Sequence, residues 1–379
     1  MIYLDYSATT PISEQALQIY LEVAKNYYGN PNSLHDIGGQ AAQLLEGCRA
    51  KLATLIQAES RGVFFTGGGS EANELAIRSL VKGNDRKGRR LITTKVEHAS
   101  VLNTFIALEE EGYEVVYAPV DEYGQVDLVQ LEALLTEDTI LVSICHANSE
   151  IGTIQPLEQI GELLTEKKHI IFHSDCIQSF GKIPIDVQKA KVDSISLSSH
   201  KIYGPKGVGA CYISPSVSWK SVLPHISHEK GFRQGSVNLP GIAGFVTAAE
   251  ETVLTLGIEK ERVRRLTQQL LEGLRQLKWE IVLEGHPKTR LPHHLGLRIL
   301  GMEGQYAMLE CNRYGVAIST GTACLAHEKG SSETMQAIGK TDTEANEFIR
   351  LTLGKETTEE EVTQTIKTID QICQQYFKR

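Results

Sequence analysis

Residues 194–207 read SISLSSHKIYGPKG, and the prediction of the fold starts from this segment. Ser194–Ser198 is a short strand candidate of small and hydroxyl residues, and Lys201 follows close behind its carboxyl end. The next turn holds glycine and proline, which interrupt regular structure. The stretch therefore predicts a sheet strand that delivers an amine to its carboxyl edge.

On both sides of this stretch, short apolar strands alternate with amphipathic segments. Helix-like segments include Leu128–Leu135, after Asp127 as N-cap, and Ile160–Lys168. Strands that alternate with helices favour an α/β fold, here a mainly parallel seven-stranded sheet with helices on both faces. The other six strand candidates are Val63–Thr66, Leu91–Thr94, Val115–Val120, Ile140–Ile144, Ile170–Ser174 and Gly209–Ile213.

The regular alternation of short strands and helices ends after about residue 250. A long charged helix, Ile258–Leu277, leads into strands at Leu295–Leu300 and Val316–Ser319. A final helix begins at Thr358, where Glu361 completes a capping box. Because 379 residues exceed one average domain, we predict a large domain over 13–255 and a smaller α+β domain over 256–379 that also includes 1–12.

Composition excludes several classes of protein. The net charge of -9 argues against a nucleic-acid surface, which needs clustered Lys and Arg. No apolar run approaches the roughly 18 residues that span a bilayer, and the first residues do not form a secretion signal. The seven cysteines are scattered and lack a CxxC pair, so we expect neither disulfides nor a metal site, and a cytoplasmic location.

Polar side chains follow five of the strand candidates. A glycine-rich turn, 67–69, opens a helix after Val63–Thr66, a pattern that suits a phosphate group. The other strand ends are followed by Glu97-His98, by His146–Glu150, by Asp175 with Gln178, and by Ser198–Lys201. Because ligands of such sheets collect at the carboxyl ends of the strands, these groups predict one shared site.

Pyridoxal 5′-phosphate (PLP) is the cofactor whose chemistry fits this set. Its aldehyde needs a lysine, and its pyridine nitrogen needs a carboxylate that keeps the ring protonated as an electron sink. Lys201 follows a histidine close behind the strand end, whereas Lys206 lies inside a Gly/Pro turn and is the weaker candidate.

These residues also carry a family resemblance. The chain resembles the NifS/IscS-type cysteine desulfurases, which are PLP-dependent transferases of fold type I. The likeness runs nearly from end to end. The segments that carry it are 3–10, 29–31, 65–71, 97–98, 150–152, 199–207 and 321–324.

The resemblance implies a role for each site residue. Lys201 bonds the cofactor aldehyde and moves the substrate α-proton, and His98 stacks on the ring. For the rest of the cofactor, it implies Asp175 at the pyridine nitrogen, Gln178 at the phenolic oxygen, and Gly69, Ser70, Ser198, His200 and Ser236 at the phosphate. Ser236 is lent by the second subunit of a homodimer. Arg350 and Asn32 bind the substrate carboxylate.

Cys324 is the residue that decides the reaction. It lies among small and polar residues, Ser319–Ala323, and the resemblance implies that it takes the sulfur from L-cysteine, releases L-alanine and holds a persulfide. The persulfide then passes to a sulfur-acceptor protein for iron–sulfur cluster assembly or other sulfur-containing products. We expect the other six cysteines to be packing residues.

Three alternatives share this sequence pattern. A selenocysteine lyase and an aminotransferase use the same fold and cofactor. A non-catalytic scaffold for iron–sulfur assembly would need only a surface that binds its partner.

The family usually has asparagine where this chain has Ser149, so either Ser149 or Asn148 is predicted to contact the phenolic oxygen.

Overall fold

A computed structural model describes residues 1–84, 88–225, 227–320 and 332–378. It contains twelve strands: β1 Ile2–Tyr3, β2 Val63–Thr66, β3 Arg90–Thr94, β4 Glu114–Ala118, β5 Thr139–Ser143, β6 Ile171–Asp175, β7 Ser194–Ser198, β8 Gly209–Ile213, β9 Ile281–Glu284, β10 His294–Ile299, β11 Val316–Ala317 and β12 Phe348–Thr352. The helices are α1 Glu14–Asn26, α2 Asp36–Leu55, α3 Gly69–Gly83, α4 Ala99–Glu110, α5 Leu128–Leu134, α6 Leu157–Leu164, α7 Leu239–Leu254, α8 Leu256–Arg275, α9 Gly304–Arg313, α10 Glu333–Ala337, α11 Asp342–Asn346 and α12 Glu359–Phe377.

The central sheet has seven strands in the order β2-β8-β7-β6-β5-β3-β4. Only β8 runs antiparallel to its neighbours, β2 and β7, and the remaining pairs are parallel. The predicted sheet is therefore confirmed, and each of its seven strands lies within two residues of its predicted ends.

Alternate residues of one strand enter two different cores, which explains why apolar residues occur at neighbouring strand positions. Phe64, Leu91 and Leu141 pack with α3 and α4 on one face of the sheet. Their neighbours, among them Phe65 and Ile92, pack with α2 and α7 on the other face. Because helices cover both faces of the sheet, side chains that face a ligand are expected at the strand ends, whereas polar residues within the strands, such as Ser194 and Ser196, are buried.

A second cluster forms around the antiparallel sheet β12-β10-β9 with α8, α9 and α12. Leu4 of the N-terminal segment is buried in this cluster, and β1 pairs in parallel with β11. The boundary between 13–255 and 256–379 stays a prediction. The predicted capping box of α12 is confirmed, because Thr358 Oγ1 accepts from Glu361 N and the Glu361 carboxylate accepts from Thr358 N.

Among the predicted segments, one helix and one short strand differ most from the structure. The helix expected at Ile160–Lys168 is α6, which starts at Leu157 immediately after Pro156 and ends at Leu164. Proline favours the first positions of a helix, a signal that the apolar spacing alone does not carry. The strand expected at Val316–Ser319 is only the two-residue β11, and Ser319 instead forms a single bridge with Arg350.

No single described helix is long and apolar enough to cross a bilayer. The consecutive helices α7 and α8 reach the required length and apolarity only when they are taken together, and the pair is bent by 72°.

A buried ion pair covers the edge of the central sheet at β2. Arg49 of α2 donates to both carboxylate oxygens of Glu229 at 2.8 and 3.0 Å, and Glu229 also accepts from Phe65 N in the edge strand β2 at 2.7 Å. Arg49 and Glu229 are 2% and 7% exposed. The pair therefore satisfies a sheet-edge N–H and fixes the segment that leads to Ser236.

We expect Glu229→Ala to lower the free energy of unfolding by about 3–5 kcal/mol, because Nη1 and Nη2 of the buried Arg49 guanidinium lose their carboxylate partner and only the more exposed Glu46 remains paired with Nε, at 2.9 Å. Urea unfolding checks this value. Glu250→Ala is the matched control: Glu250 pairs with the exposed Lys51 at 3.0 Å, and its loss should cost less than about 1 kcal/mol. Equal losses in the two variants would contradict the role of the buried pair.

Candidate active site

Lys201 lies just beyond the carboxyl end of β7, in the short turn Ser199–Lys201. Its Nζ donates to the backbone carbonyls of Ser7 at 2.6 Å and Ala8 at 2.8 Å. Lys206, by contrast, is exposed in the following turn. The N-terminal segment therefore holds the amine of Lys201 at the sheet edge, where the sequence predicted it.

Asp175 ends the neighbouring strand β6 and is 5% exposed. Asn73 Nδ2 donates to its Oδ2 at 2.7 Å, and Ile177 N donates to its Oδ1 at 2.9 Å. Gln178 lies one turn further and donates to the Ser7 carbonyl at 3.1 Å, the same oxygen that binds Lys201. Neutral amide donors hold the carboxylate, and they leave its charge uncompensated by a described cation.

The start of α3 forms a tight cradle beside β7. A Cβ atom on Gly69 would lie 2.3 Å from Ile177 Cδ1 and 3.1 Å from Ser198 Cβ, so only glycine permits this approach. Ser198 Oγ is buried and has no hydrogen-bond partner among the described residues, while Ser70 is exposed. A helix N-terminus beside an unpartnered hydroxyl is a suitable place for a phosphate.

His98 is the N-cap of α4 and begins a chain of hydrogen bonds that ends at Asp175. Its Nδ1 accepts from Ser100 N at 3.1 Å and contacts Ser100 Oγ at 2.8 Å. Asn73 Nδ2 donates to that Oγ at 2.9 Å as well as to Asp175. Because Nδ1 is an acceptor here, the neutral ring of His98 carries its proton on Nε2.

His200 lies beside Lys201, and its Nδ1 is 3.1 Å from Thr9 Oγ1. Burial, together with the charges of Lys201 and Lys206, lowers its pKa to about 4. The ring is therefore neutral at physiological pH and keeps both a donor and an acceptor nitrogen for hydrogen bonding.

Glu97 fixes the loop that carries His98. Its Oε1 accepts from Cys145 N at 2.8 Å and from Thr94 Oγ1 at 3.0 Å, so it ties the end of β3 to the end of β5. Burial raises its pKa to about 8, against the hydrogen bonds that lower it. We interpret Glu97 as a buried support for His98, not as a group that reaches a ligand.

Arg350 lies on β12 and is 6% exposed. Its Nη1 donates to the carbonyl of Ser149 at 3.0 Å, its Nη2 pairs with Asp5 Oδ1 at 2.8 Å, and its Nε has no partner among the described residues. These contacts aim a planar cation at the same edge as Lys201, as expected for a group that binds a carboxylate. Asn32 lies on an exposed turn, and Ser236 is also exposed.

The choice between Ser149 and Asn148 depends on what each side chain already binds. Asn148 is 4% exposed, its Nδ2 donates to Val96 O at 2.8 Å, and its Oδ1 accepts from the backbone N of Glu150 and Ile151, each at 2.8 Å. The side-chain amide of Asn148 is therefore already bonded to its own loop, to the Val96 carbonyl and to Thr334. This arrangement favours Ser149 for the cofactor contact, which stays a prediction.

Cys324 lies outside the described residues, but the chain on either side of 321–331 borders the site. Before this segment, Arg350 N donates to Ser319 O at 2.6 Å. After it, Ser332 Oγ and Thr334 Oγ1 both donate to the carboxylate of Glu150. The sequence placed Glu150 after a strand end and within the family likeness, but it did not predict the contact with Ser332, because only the fold brings the two loops together.

The other six cysteines are all buried and free. Burial raises the pKa of each thiol: to about 11 for Cys48, to about 12 for Cys176, Cys211, Cys311 and Cys373, and well above its usual value for Cys145. A thiol with such a pKa is not a thiolate at neutral pH, so none of these six is suited to nucleophilic attack.

The comparisons with known proteins show the family to which the chain belongs. The chain matches the family model described as Aminotransferase class-V over residues 2–365, and this is the class of enzyme that the fold and the lysine–carboxylate pair define. The chain is 47% identical over 372 residues to a protein of Halalkalibacterium halodurans named "Putative cysteine desulfurase NifS", and the match covers 98% of each chain.

A second relative is cysteine desulfurase IscS 1 of Archaeoglobus fulgidus, 38% identical over 97% of this chain and 96% of the relative. A solved structure of a NifS-like protein superposes with a TM-score of 0.92 at 34% identity and covers 98% of this chain and 99% of that chain. The chain belongs to the cysteine desulfurase family within the class-V aminotransferases, as the sequence resemblance predicted. Enzymes of this family are PLP-dependent.

Proposed function

We propose that this chain takes sulfur from L-cysteine with bound PLP, releases L-alanine and holds the sulfur as a persulfide on Cys324. The observation that carries the proposal is the convergence of Lys201 Nζ, Gln178 and Arg350 on the segment Asp5–Ala8. This one segment brings together the amine that bonds the cofactor, the amide beside it and the cation that binds the substrate.

The residues of the site fit PLP. The phosphate would take the N–H groups at the start of α3 and the unpartnered hydroxyl of Ser198, with His200 and Ser70 beside them. Asp175 would face the pyridine nitrogen, and Gln178 and Ser149 the phenolic oxygen. When bound, PLP supplies an electron sink that stabilises negative charge at the substrate carbon atoms.

The substrate is oriented by its carboxylate. Arg350 keeps an unpartnered Nε–H and further donor capacity on its two terminal nitrogens, and a planar guanidinium binds a carboxylate through two parallel hydrogen bonds. Lys201 Nζ, once released from the cofactor, would take the proton from the substrate Cα. The neighbouring Asp5 keeps the guanidinium aimed at this position through the 2.8 Å ion pair.

Cys324 would perform the sulfur transfer. Its thiolate forms a bond with the substrate sulfur while the Cβ–S bond breaks, and the electron pair of that bond stays with the carbon. A proton then completes the methyl group, so that L-cysteine and one enzyme thiol become L-alanine and one enzyme persulfide. We propose that the terminal sulfur passes to an acceptor protein for iron–sulfur cluster assembly, and that this takes place in the cytoplasm.

The ratio of products tests this function against its alternatives. With L-cysteine and a thiol reductant, we expect equal amounts of alanine and sulfide and no keto acid. An aminotransferase would instead release a keto acid from its amino donor and no sulfide. A scaffold without activity would release none of these, and a selenocysteine lyase would act on selenocysteine and leave cysteine intact. Any of these three outcomes would contradict the proposal.

We also propose a homodimer in which Ser236 of each subunit reaches the phosphate of the other. Ser236 is exposed, and large exposed apolar side chains are frequent over residues 12–37, among them Tyr28 at 72% and Leu34 at 105% exposure. Apolar side chains exposed in this way favour an interface, and twofold symmetry is the commonest closed arrangement.

Sedimentation of the active enzyme at micromolar concentration checks the dimer. We expect a single species of twice the chain mass, and we expect Ser236→Ala to weaken PLP binding without changing that mass. A monomer that turns over cysteine at the full rate would contradict the shared site.

A further inference from the structure

A cavity with both polar and apolar lining residues lies beside Tyr203. Its volume is about 380 Å³ including the part open to solvent. Its lining comes from several elements: the turn after β6, the junction of α7 and α8, the segment before β10 and the segment after β12. The lining side chains that matter are Lys182, Tyr203, Glu259, Lys260, His293 and Lys355.

Two lysines share one aromatic ring in this cavity. Lys182 Nζ lies 4.9 Å and Lys355 Nζ 4.8 Å from the centroid of the Tyr203 ring. Neither forms a salt bridge with any carboxylate of the described chain. Burial, and then the charge of Lys355, lower the pKa of Lys182 to about 8. Two ammonium groups that form no salt bridge repel each other, and this repulsion lowers the free energy of unfolding.

Nearby groups compensate this charge only in part, because the carboxylate of Glu259 lines the same cavity and acts on Lys182. Glu259 is bonded to Arg262 at 3.0 Å, and Arg262 in turn donates to the carbonyls of Gly354 and Thr357. His293 is 2% exposed, and neither of its ring nitrogens has a partner among the described residues. Burial lowers its pKa well below the usual value, so the ring is neutral and still has one N–H to donate.

We propose that this cavity is a binding site for one small inorganic anion, in the size range from chloride to sulfate, held between Lys182 and Lys355 with the N–H of His293 as a further donor. An anion there supplies the missing counter-charge and a partner for a buried imidazole. Both needs are met by one negative, hydrogen-bond-accepting ligand, whereas water would leave the two like charges uncompensated.

The site would also connect two parts of the catalytic machinery. Tyr203 lies two residues after Lys201 and has a positive φ of 68°, a strained conformation for a residue other than glycine. Its hydroxyl accepts from Lys355 N at 2.9 Å, and Lys355 follows the strand of Arg350. A bound anion would therefore contact both the turn that carries Lys201 and the segment that follows the strand of Arg350, and it would stabilise their relative positions.

The test uses the PLP-loaded enzyme, so that the cofactor fills the phosphate cradle. Chloride binding is followed by line broadening in chloride NMR, and sulfate binding by its competition with chloride. The thermal midpoint is measured in chloride, sulfate and gluconate at equal ionic strength. We expect Lys182→Met and Lys355→Gln each to weaken anion affinity about ten- to hundredfold, the effect of losing one charged hydrogen bond.

Lys278→Met is the matched control, because Lys278 also lies over an aromatic ring, at 4.5 Å from the centroid of Trp279, but is exposed and outside the cavity. It should bind the anion as the wild type does. Lys355→Gln keeps the test valid if Lys182→Met folds poorly, because Lys355 is only half-buried. Line broadening and anion-dependent midpoints that are the same in the wild type and both cavity variants would overturn the proposal, whatever the desulfurase activity.

Discussion

Replacing Lys201 by alanine is expected to abolish turnover of L-cysteine, with a loss of at least about 10³-fold. Lys201 Nζ is the amine that the Ser7 and Ala8 carbonyls hold at the end of β7, beside the carboxylate of Asp175 on β6. The variant loses both the covalent bond to the cofactor and the base that moves the α-proton. PLP should still bind weakly through its phosphate, without a covalent link.

Borohydride reduction of the wild-type enzyme, followed by peptide mapping, locates the pyridoxyl group directly. We expect it on Lys201. Lys206→Ala is the matched control, because Lys206 is exposed five residues further along and should be replaceable with little loss of activity. A pyridoxyl group on Lys206, or full activity of Lys201→Ala, would contradict the site.

Replacing Cys324 by serine is expected to stop alanine and sulfide formation almost completely, while cysteine still binds and changes the cofactor spectrum. Binding depends on PLP, Lys201 and Arg350, all of which remain. Removal of the sulfur needs a thiolate, and a free cysteine with a pKa of roughly 8.5 is only a few per cent ionised at neutral pH. The hydroxyl of serine is a far weaker nucleophile still.

The six buried cysteines provide the controls for this variant. Each is replaced by alanine in turn, and alanine formation should stay close to the native rate whenever the protein folds, because raised thiol pKa values exclude these residues from attack. Native alanine release from Cys324→Ser would contradict the persulfide mechanism.

Much of the fold could be predicted from the sequence because the central strands are buried on both faces. Short, mainly apolar segments such as Leu91–Thr94 and Ile140–Ile144 differ from the amphipathic helices around them and are followed by polar residues. The same rule brought Lys201, Asp175 and His98 to one edge, since parallel strands end together. Short segments whose limits depend on tertiary contacts, such as β11, could not be predicted in this way.

The supporting contacts of the site could not be predicted from residue patterns, because they join distant parts of the chain. Arg350 pairs with Asp5 across 345 residues, and Asn73 reaches Asp175 across 102 residues. The spacing of residues within one segment of the sequence gives no information about such a long-range pair. Asn73 lies in the same helix as the phosphate cradle, and this position is the one feature of the sequence from which its place near the cofactor could have been predicted.

The central claim is that the sulfur of L-cysteine becomes a persulfide on Cys324. The most direct test supplies L-cysteine labelled with a heavy sulfur isotope to the PLP-loaded enzyme without a reductant, and maps the peptides by mass spectrometry after quenching. The account predicts one heavy sulfur on the Cys324 peptide for each alanine released in the first turnover. Alanine released with no label on Cys324, or with the label on one of the six buried cysteines, would contradict it.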